Sequence, residues 1–278
     1  MQGRVRRAVL RAVSVSLLGL VGAVETASAA TFYDSSGFES PLFVPGDVTG
    51  QDLLNGPWQK SGVNASTATV QVAVKQGGLQ AVQVTRAANA NADARWGVLK
   101  PHANVTTPVA IDWDMNVAQS SVPNGSFGPF FGVEAYDSLD NPSPLLAGSL
   151  GVDAQTGEVL FQQSGTGFIE AVPNFTVPFD QWNHYRMLLD YQSGSYSIFV
   201  NGALKATEGF VDSGIADFTD APIAALAASG DPASLSAAGT AYVDNYVISE
   251  VPEPGLAWVG LLGLAFLKRD SRSTNKRA

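Results

Sequence analysis

Asp112 and Asp114 stand two residues apart in the stretch IDWDMN, and Asn116 follows at the same spacing. Side chains alternate along an extended strand, so these polar groups share one face while Ile111, Trp113 and Met115 share the other. Glu134 and Tyr136 alternate against Val133 and Ala135 in the same way. If the two strands are neighbours in one sheet, Asp112, Asp114, Glu134 and Tyr136 line a shallow groove. Carboxylates accept hydrogen bonds from ligand hydroxyls, and a phenol ring stacks on an apolar ring face, so the chemistry is non-covalent binding. The alternative is an ordinary solvated sheet face.

Other chemistry finds little support. His102 and His184 are the only histidines, one after Lys100-Pro101 and one just past Trp182. No Gly-x-Ser-x-Gly elbow, His-Glu-x-x-His zinc motif or phosphate-binding Gly-x-x-x-x-Gly-Lys-Ser/Thr loop accompanies them, so both read as packing or surface residues. There are no cysteines, which excludes disulfides, thiolate metal sites and a cysteine nucleophile. Of the 16 Lys and Arg, nine lie in residues 1–30 and 251–278, whereas the body keeps 22 of the 25 acidic residues. Such a body repels nucleic acid and anionic lipid. It suits neutral ligands or divalent cations, or it serves solubility alone. Trp58, Trp96, Trp113 and Trp182 are either ligand platforms or core, with Trp113 and Trp182 the strongest core candidates from their strand context.

The elements that must position these groups are strands. Between residues 31 and 250 no helical periodicity stands out. Short runs separated by Gly, Asn, Asp, Pro and Ser predict strands at 68–74, 78–85, 109–117, 130–136, 149–152, 158–163, 183–191, 195–200, 203–210, 222–227 and 240–249. Tyr185, Met187, Leu189 and Tyr191 fall on one face, and Tyr196, Ile198 and Val200 repeat the alternation. Asn201-Gly202 then supplies a two-residue type I′ turn, since both residue types accept positive φ. The count suits an all-β, antiparallel two-sheet sandwich.

Trp182, Tyr185, Arg186, Asp190, Tyr196, Val200, Asn201 and Gly202 resemble the recurring pattern of the concanavalin A-like, laminin-G-like jelly-roll superfamily. Phe38-Glu39, Gly50-Gln51, Asn55-Gly56 and Trp58 resemble the opening of such modules, and the run YVDNYVI at 242–248 resembles their closing strand. The resemblance implies a jelly-roll fold, which hosts lectins, binding modules, hydrolases and adhesion domains. Hydrolases of this fold carry Glu-x-Asp-x-(x)-Glu on one strand, and neither 110–115 nor 131–137 matches it. Related binding modules hold one structural calcium between an early Glu and a late Asp. The resemblance places that ion at Glu39 and Asp244, with backbone carbonyls completing its oxygen ligands.

Both ends read as addresses. Arg4, Arg6 and Arg7 precede an uncharged stretch and Ala27-Ser28-Ala29, the features of a signal peptide over 1–29. Pro252, Glu253 and Pro254 precede an apolar run over 255–267 and then Lys268, Arg269 and Arg272. At about 1.5 Å per residue, the run makes roughly 20 Å of helix, short of a ~30 Å hydrocarbon core. This three-part tail resembles the PEP-CTERM sorting signal of exopolysaccharide-producing Gram-negative bacteria. The resemblance implies transient inner-membrane anchoring, processing by signal peptidase and an exosortase, and release to the cell surface or extracellular matrix. The expected organisation is a signal peptide (1–29), a jelly-roll domain (30–250) and a sorting segment (251–278). The expected function is non-catalytic binding or adhesion, with extracellular polysaccharide as the partner. A structural matrix component and an atypical glycan hydrolase or lyase are the alternatives.

Overall fold

The computed structural model describes residues 29–62, 64–121, 127–139 and 143–251. Residues 1–28 of the expected signal peptide, and the sorting motif at 252–254 with its apolar run, lie outside the described residues. In chain order the strands are β1 (Thr31–Asp34), β2 (Gly46–Asp47), β3 (Gln59–Ser61), β4 (Thr67–Gln71), β5 (Ala81–Arg86), β6 (Ala94–Gly97), β7 (Val109–Val117) and β8 (Phe130–Asp137). They continue as β9 (Leu145–Asp153), β10 (Glu158–Gln162), β11 (Ile169–Thr176), β12 (Trp182–Asp190), β13 (Ser195–Val200), β14 (Ala203–Gly209), β15 (Ile223–Leu226) and β16 (Gly239–Glu250). A nine-stranded sheet runs β14-β13-β12-β7-β16-β5-β4-β2, with β1 also paired to β16. A seven-stranded sheet runs β11-β10-β9-β8-β15-β6-β3. The strand pairings are antiparallel, and the two sheets pack face to face as a jelly-roll sandwich.

Alternation decides which side of each strand enters the core. Ile111, Trp113 and Met115 of β7 are buried, as are Tyr185, Met187 and Leu189 of β12. From the other sheet, Trp96, Val133, Ala135, Leu150, Val152 and Ile223 face them. At ~1.5–3 kcal/mol for each fully buried large apolar side chain, this layer holds a cysteine-free domain together. One end carries an aromatic cluster of Tyr33, Phe38, Phe43, Trp58 and Tyr246. Trp58 Nε1 donates to the Tyr33 hydroxyl at 2.8 Å, which donates to Asp52 at 2.8 Å, so the buried polar edges are paired. Arg86 is fully buried. It bonds Asp93 at 2.8 Å and the carbonyls of Leu235 and Ala237 at 3.2 and 2.6 Å, pinning two connections to one another.

The 182–210 region forms three consecutive antiparallel strands, with Tyr185 opposite Val200 and Asp190 opposite Ser195. Asn201 and Gly202 have φ of 51° and 77°, the left-handed pair a type I′ turn needs. The Asn201 side chain locks the turn by accepting the His184 amide at 2.9 Å and donating to Asn183 at 2.9 Å.

Two features differ from expectation. Trp182 begins β12 half-buried, whereas Trp58, Trp96 and Trp113 are core. Strands β1, β2, β3, β6 and β11 carry no legible run, because four of them have four residues or fewer and β11 is exposed along most of its length.

Candidate functional site

The groove expected from Asp112, Asp114, Glu134 and Tyr136 together does not form. β7 pairs with β12 and β16, and β8 pairs with β9 and β15, so the two strands lie in opposite sheets. Each buries its apolar side against the same core, which leaves the two polar pairs on opposite outer faces. Alternation is blind to this, since it gives the same pattern whether successive strands lie side by side or stack.

On the outer face of the seven-stranded sheet, Glu134 and Tyr136 meet a residue that the sequence did not single out. Arg95 projects from β6, across β15, and its Nε donates to Glu134 Oε2 at 2.5 Å. The Tyr136 hydroxyl donates to the same oxygen at 2.9 Å. Glu134 is 2 % exposed and Arg95 33 %. Burial and the neighbouring Glu134 charge hold the Tyr136 phenol proton far above its ordinary range. Burial pulls the Arg95 guanidinium down, but the charges and hydrogen bonds of Glu134 and Tyr136 together outweigh it and leave the group above its usual value. Tyr136 stands here as a hydrogen-bond donor to Glu134, and Arg95 is a cation bonded to the same oxygen through Nε.

Two cavities flank this trio and share Arg95. One, of about 490 Å³, is lined by Lys60, Arg95, Tyr136 and Asp220 among others. The other, of about 540 Å³, is lined by Arg95, Glu134 and Gln162, with Phe127 and Phe168 beside them. Its floor is a small apolar cluster of Phe130, Leu160, Ala224 and Leu226. Phe130 can lie flat there because Gly132 and Gly151 lie beneath it. A Cβ at either would fall within 2.8 or 2.5 Å of the Phe130 ring. Phe127 and Phe168 are 48 % and 70 % exposed at the margin.

Asp220 bridges Tyr136 through the backbone, so the two side chains sit together at the first cavity. Burial alone pushes its carboxyl up to about 6, with no hydrogen bond or cation to offset it. Asp137 and Thr219 hold the segment in place, through bonds to the amides of Ala216, Asp217 and Ser138. Sequence reasoning missed Arg95 and Asp220 because a four-residue strand and an irregular segment carry them. A composition signal was available for Arg95, one of only seven cations in the body.

On the opposite face, Asp112 and Asp114 are engaged locally. Arg186 bonds both oxygens of Asp112 at 2.7 and 3.1 Å. His184 lies between the two aspartates, with ring nitrogens 3.2 Å from Asp112 and 3.0 Å from Asp114. Asn245 donates to Asp114 at 2.8 Å. His102 stacks on Phe32 with centroids 3.5 Å apart, a packing role.

Glu39 and Asp244 converge on the loop at 76–80. Glu39 accepts the amides of Leu79 and Gln80 at 2.5 and 3.0 Å, and Asp244 accepts those of Gln76 and Gly77 at 3.1 and 3.4 Å. Asp244 is 1 % exposed, and burial raises its carboxyl despite these bonds. Asp244 Oδ1 and Asn245 Oδ1 both approach Gly37, each 3.5 Å from where a Cβ would stand, with Glu39 Cγ 3.7 Å away. This hard-oxygen set fits calcium chemistry once backbone carbonyls are added. Among the described residues no group of three or more His, Cys, Asp or Glu is placed to hold a metal.

No family model matches the sequence, and no curated protein matches it. Solved structures share its architecture. The cellulose-induced protein Cip1 superposes with a TM-score of 0.52 at 17% identity, covering 74% of this chain and 96% of that one. A sialidase gives 0.54 at 10% identity over 89% of this chain, which spans 21% of the sialidase's length. An endo-β-1,4-glucuronan lyase from Trichoderma reesei gives 0.48 at 11% identity, covering 75% of this chain and 95% of that one. In fold, the chain is similar to Cip1 and to a part of the sialidase.

Proposed function

We propose that the chain is an exported cell-surface or extracellular-matrix protein that binds polysaccharide non-catalytically on the outer face of its seven-stranded sheet. The observation that carries this reading is the amphipathic cleft. Phe130, Leu160, Ala224 and Leu226 form an apolar floor beside the Arg95–Glu134–Tyr136 network, and Phe127 and Phe168 stand exposed at its margin. A pyranose ring presents an apolar face of C–H groups and a rim of hydroxyls, and such a surface matches both. The names of the two fold neighbours, a cellulose-induced protein and a sialidase, fit the same ligand class.

The side chains argue for binding over turnover. Glycoside hydrolysis by the common route needs two carboxyl groups, one to protonate the leaving group and one to attack or to activate water. Of Glu134 and Asp220, only Asp220 is unengaged. Glu134 is 2 % exposed and spends one oxygen on both Arg95 and Tyr136. The Tyr136 hydroxyl donates its proton to Glu134 and so is not aimed to take one from a sugar ring. The protein is expected to be retained on polysaccharide beads without releasing reducing ends or unsaturated products. Replacing Phe127 and Phe168 together by Ala is expected to cut retention about tenfold, from two lost stacking contacts. Release of sugar ends would replace the binding reading by catalysis, and absence of retention would leave a structural matrix role.

We assign export and sorting to the two terminal segments. Signal peptidase acts near Ala29, and an exosortase acts at Pro252, Glu253 and Pro254 after transient inner-membrane anchoring. Intact-mass measurement of protein released from the native host is expected to show no residues beyond about Glu253. Retention of the basic tail would remove this assignment. A structural calcium ion at Glu39 and Asp244 completes the proposal.

A further inference from the structure

The charge balance of the cleft and its open acceptors point to the class of glycan it takes, an inference that rests on the binding reading above. Two cations line the paired cavities. Arg95 is bonded to Glu134 at 2.5 Å. Lys60 gives its ammonium protons to the carbonyls of Asn64 and Ser66 at 2.8 and 2.7 Å and sits 5.6 Å over the Trp96 ring. Glu134 balances the Arg95 charge through Nε, and Lys60 is turned onto backbone carbonyls, so neither cation meets a ligand with an unbalanced positive charge.

Unmet acceptors stand beside the open Nη groups of Arg95. Asp220 lines the first cavity beside Tyr136 with nothing bonded to its carboxyl. Gln162 Oε1, in the second, is a buried oxygen with no partner. Glu134, Asp93 and Asp220 add carboxylates to the lining. A polyuronate would bring further negative charge to a lining that already holds Asp93, Glu134 and Asp220, on a body of 22 acidic and seven basic residues. A neutral glycan brings hydroxyl protons for Asp220 and Gln162, and hydroxyl oxygens for the Arg95 Nη groups, without adding charge.

We propose that the cleft selects uncharged, hydroxyl-rich polysaccharide over polyuronate, with Asp220 and Gln162 accepting sugar hydroxyls and Glu134 neutralising Arg95. Glu134 is thus a specificity residue acting through Arg95. It keeps a guanidinium in the cleft as a hydrogen-bond donor while cancelling the charge that would attract anionic ligands.

The test is retention of the full-length protein on microcrystalline cellulose and insoluble mannan, set against alginate and polygalacturonate beads, at low and moderate salt. Wild type is expected on a neutral matrix at least about tenfold more than on either polyuronate. Glu134→Gln frees the guanidinium and is expected to gain salt-sensitive polyuronate retention. Asp220→Ala is expected to lose about tenfold on the neutral matrix with its circular dichroism unchanged. If Glu134→Gln does not fold, the wild-type and Asp220→Ala arms still decide. Polyuronate retained in preference by wild type would overturn the selectivity and leave the binding reading standing. Equal retention of wild type and Asp220→Ala would overturn the acceptor assignment. Retention on neither class of matrix would overturn the binding reading, and the inference with it.

Discussion

Asp220→Asn is expected to raise the melting temperature by several degrees at about pH 8 and to leave it unchanged at about pH 3. The cause is a carboxyl that the fold buries without a partner. Its folded value is pushed up to about 6 by burial alone. In the unfolded chain it returns to about 3.9. A raised carboxyl value means the folded state binds the proton more tightly. Below the unfolded value both states are protonated and no penalty exists. As pH rises from about 4 to about 6, the unfolded chain ionises first, so stability falls through that window and stays low above it. A shift of about two units corresponds to about 3 kcal/mol at neutral pH, the most that Asn could restore. Melting curves of the two proteins from acid to mild base check this. Curves that stay parallel across the window would mean that Asp220 carries no such cost. Unpaired acids of this kind are retained where a ligand uses them, and Asp220 lines the cleft beside Tyr136.

That cleft was half legible in the sequence. Alternation placed Glu134 and Tyr136 outward and Val133 and Ala135 inward, because one buried face forces a period of two. The type I′ turn at Asn201-Gly202 was legible because its backbone demands those residue types. Sheet membership was not. Whether β8 follows β7 alongside it or across the core depends on distant pairings, β7 with β16 and β8 with β15, and no local pattern encodes them. The remaining partners, Arg95 and Asp220, sit where the chain has no period to read. Phe127 and Phe168 flank the cleft from loops, and loops leave the weakest trace in a pattern.

Chelation is expected to lower the melting temperature by several degrees, and calcium rather than magnesium is expected to restore it. Glu39 and Asp244 are far apart in sequence, yet both grip the loop at 76–80, one from each end of the domain. Around them the backbone is strained. Ser36, Gly37 and Phe38 have φ of 51°, 68° and 56°, and Asn245 has 51° at an irregularity in the β16–β7 pairing. Left-handed backbone at Ser and Phe costs free energy and persists only where neighbours over-determine it. Asp244 also stands opposite Asp114, whose charge adds to the burial that raises its carboxyl. A cation among Glu39, Asp244 and Asn245 would relieve that repulsion and tie the first strand to the last in a chain with no disulfide. Bound only to the native state, it would stabilise by RT ln(1 + [L]/Kd), ~2.7 kcal/mol at a hundredfold excess over Kd. Magnesium demands a tighter octahedron than a carboxylate, a carboxamide and carbonyls on a left-handed turn supply. Asp244→Asn removes one formal charge from the ion and is expected to shrink the calcium-dependent shift. The competing account is that the backbone amides of Gln76, Gly77, Leu79 and Gln80 already satisfy both carboxylates. Melting curves identical with chelator and with excess calcium would decide for that account, because a clamp made of hydrogen bonds alone is indifferent to either.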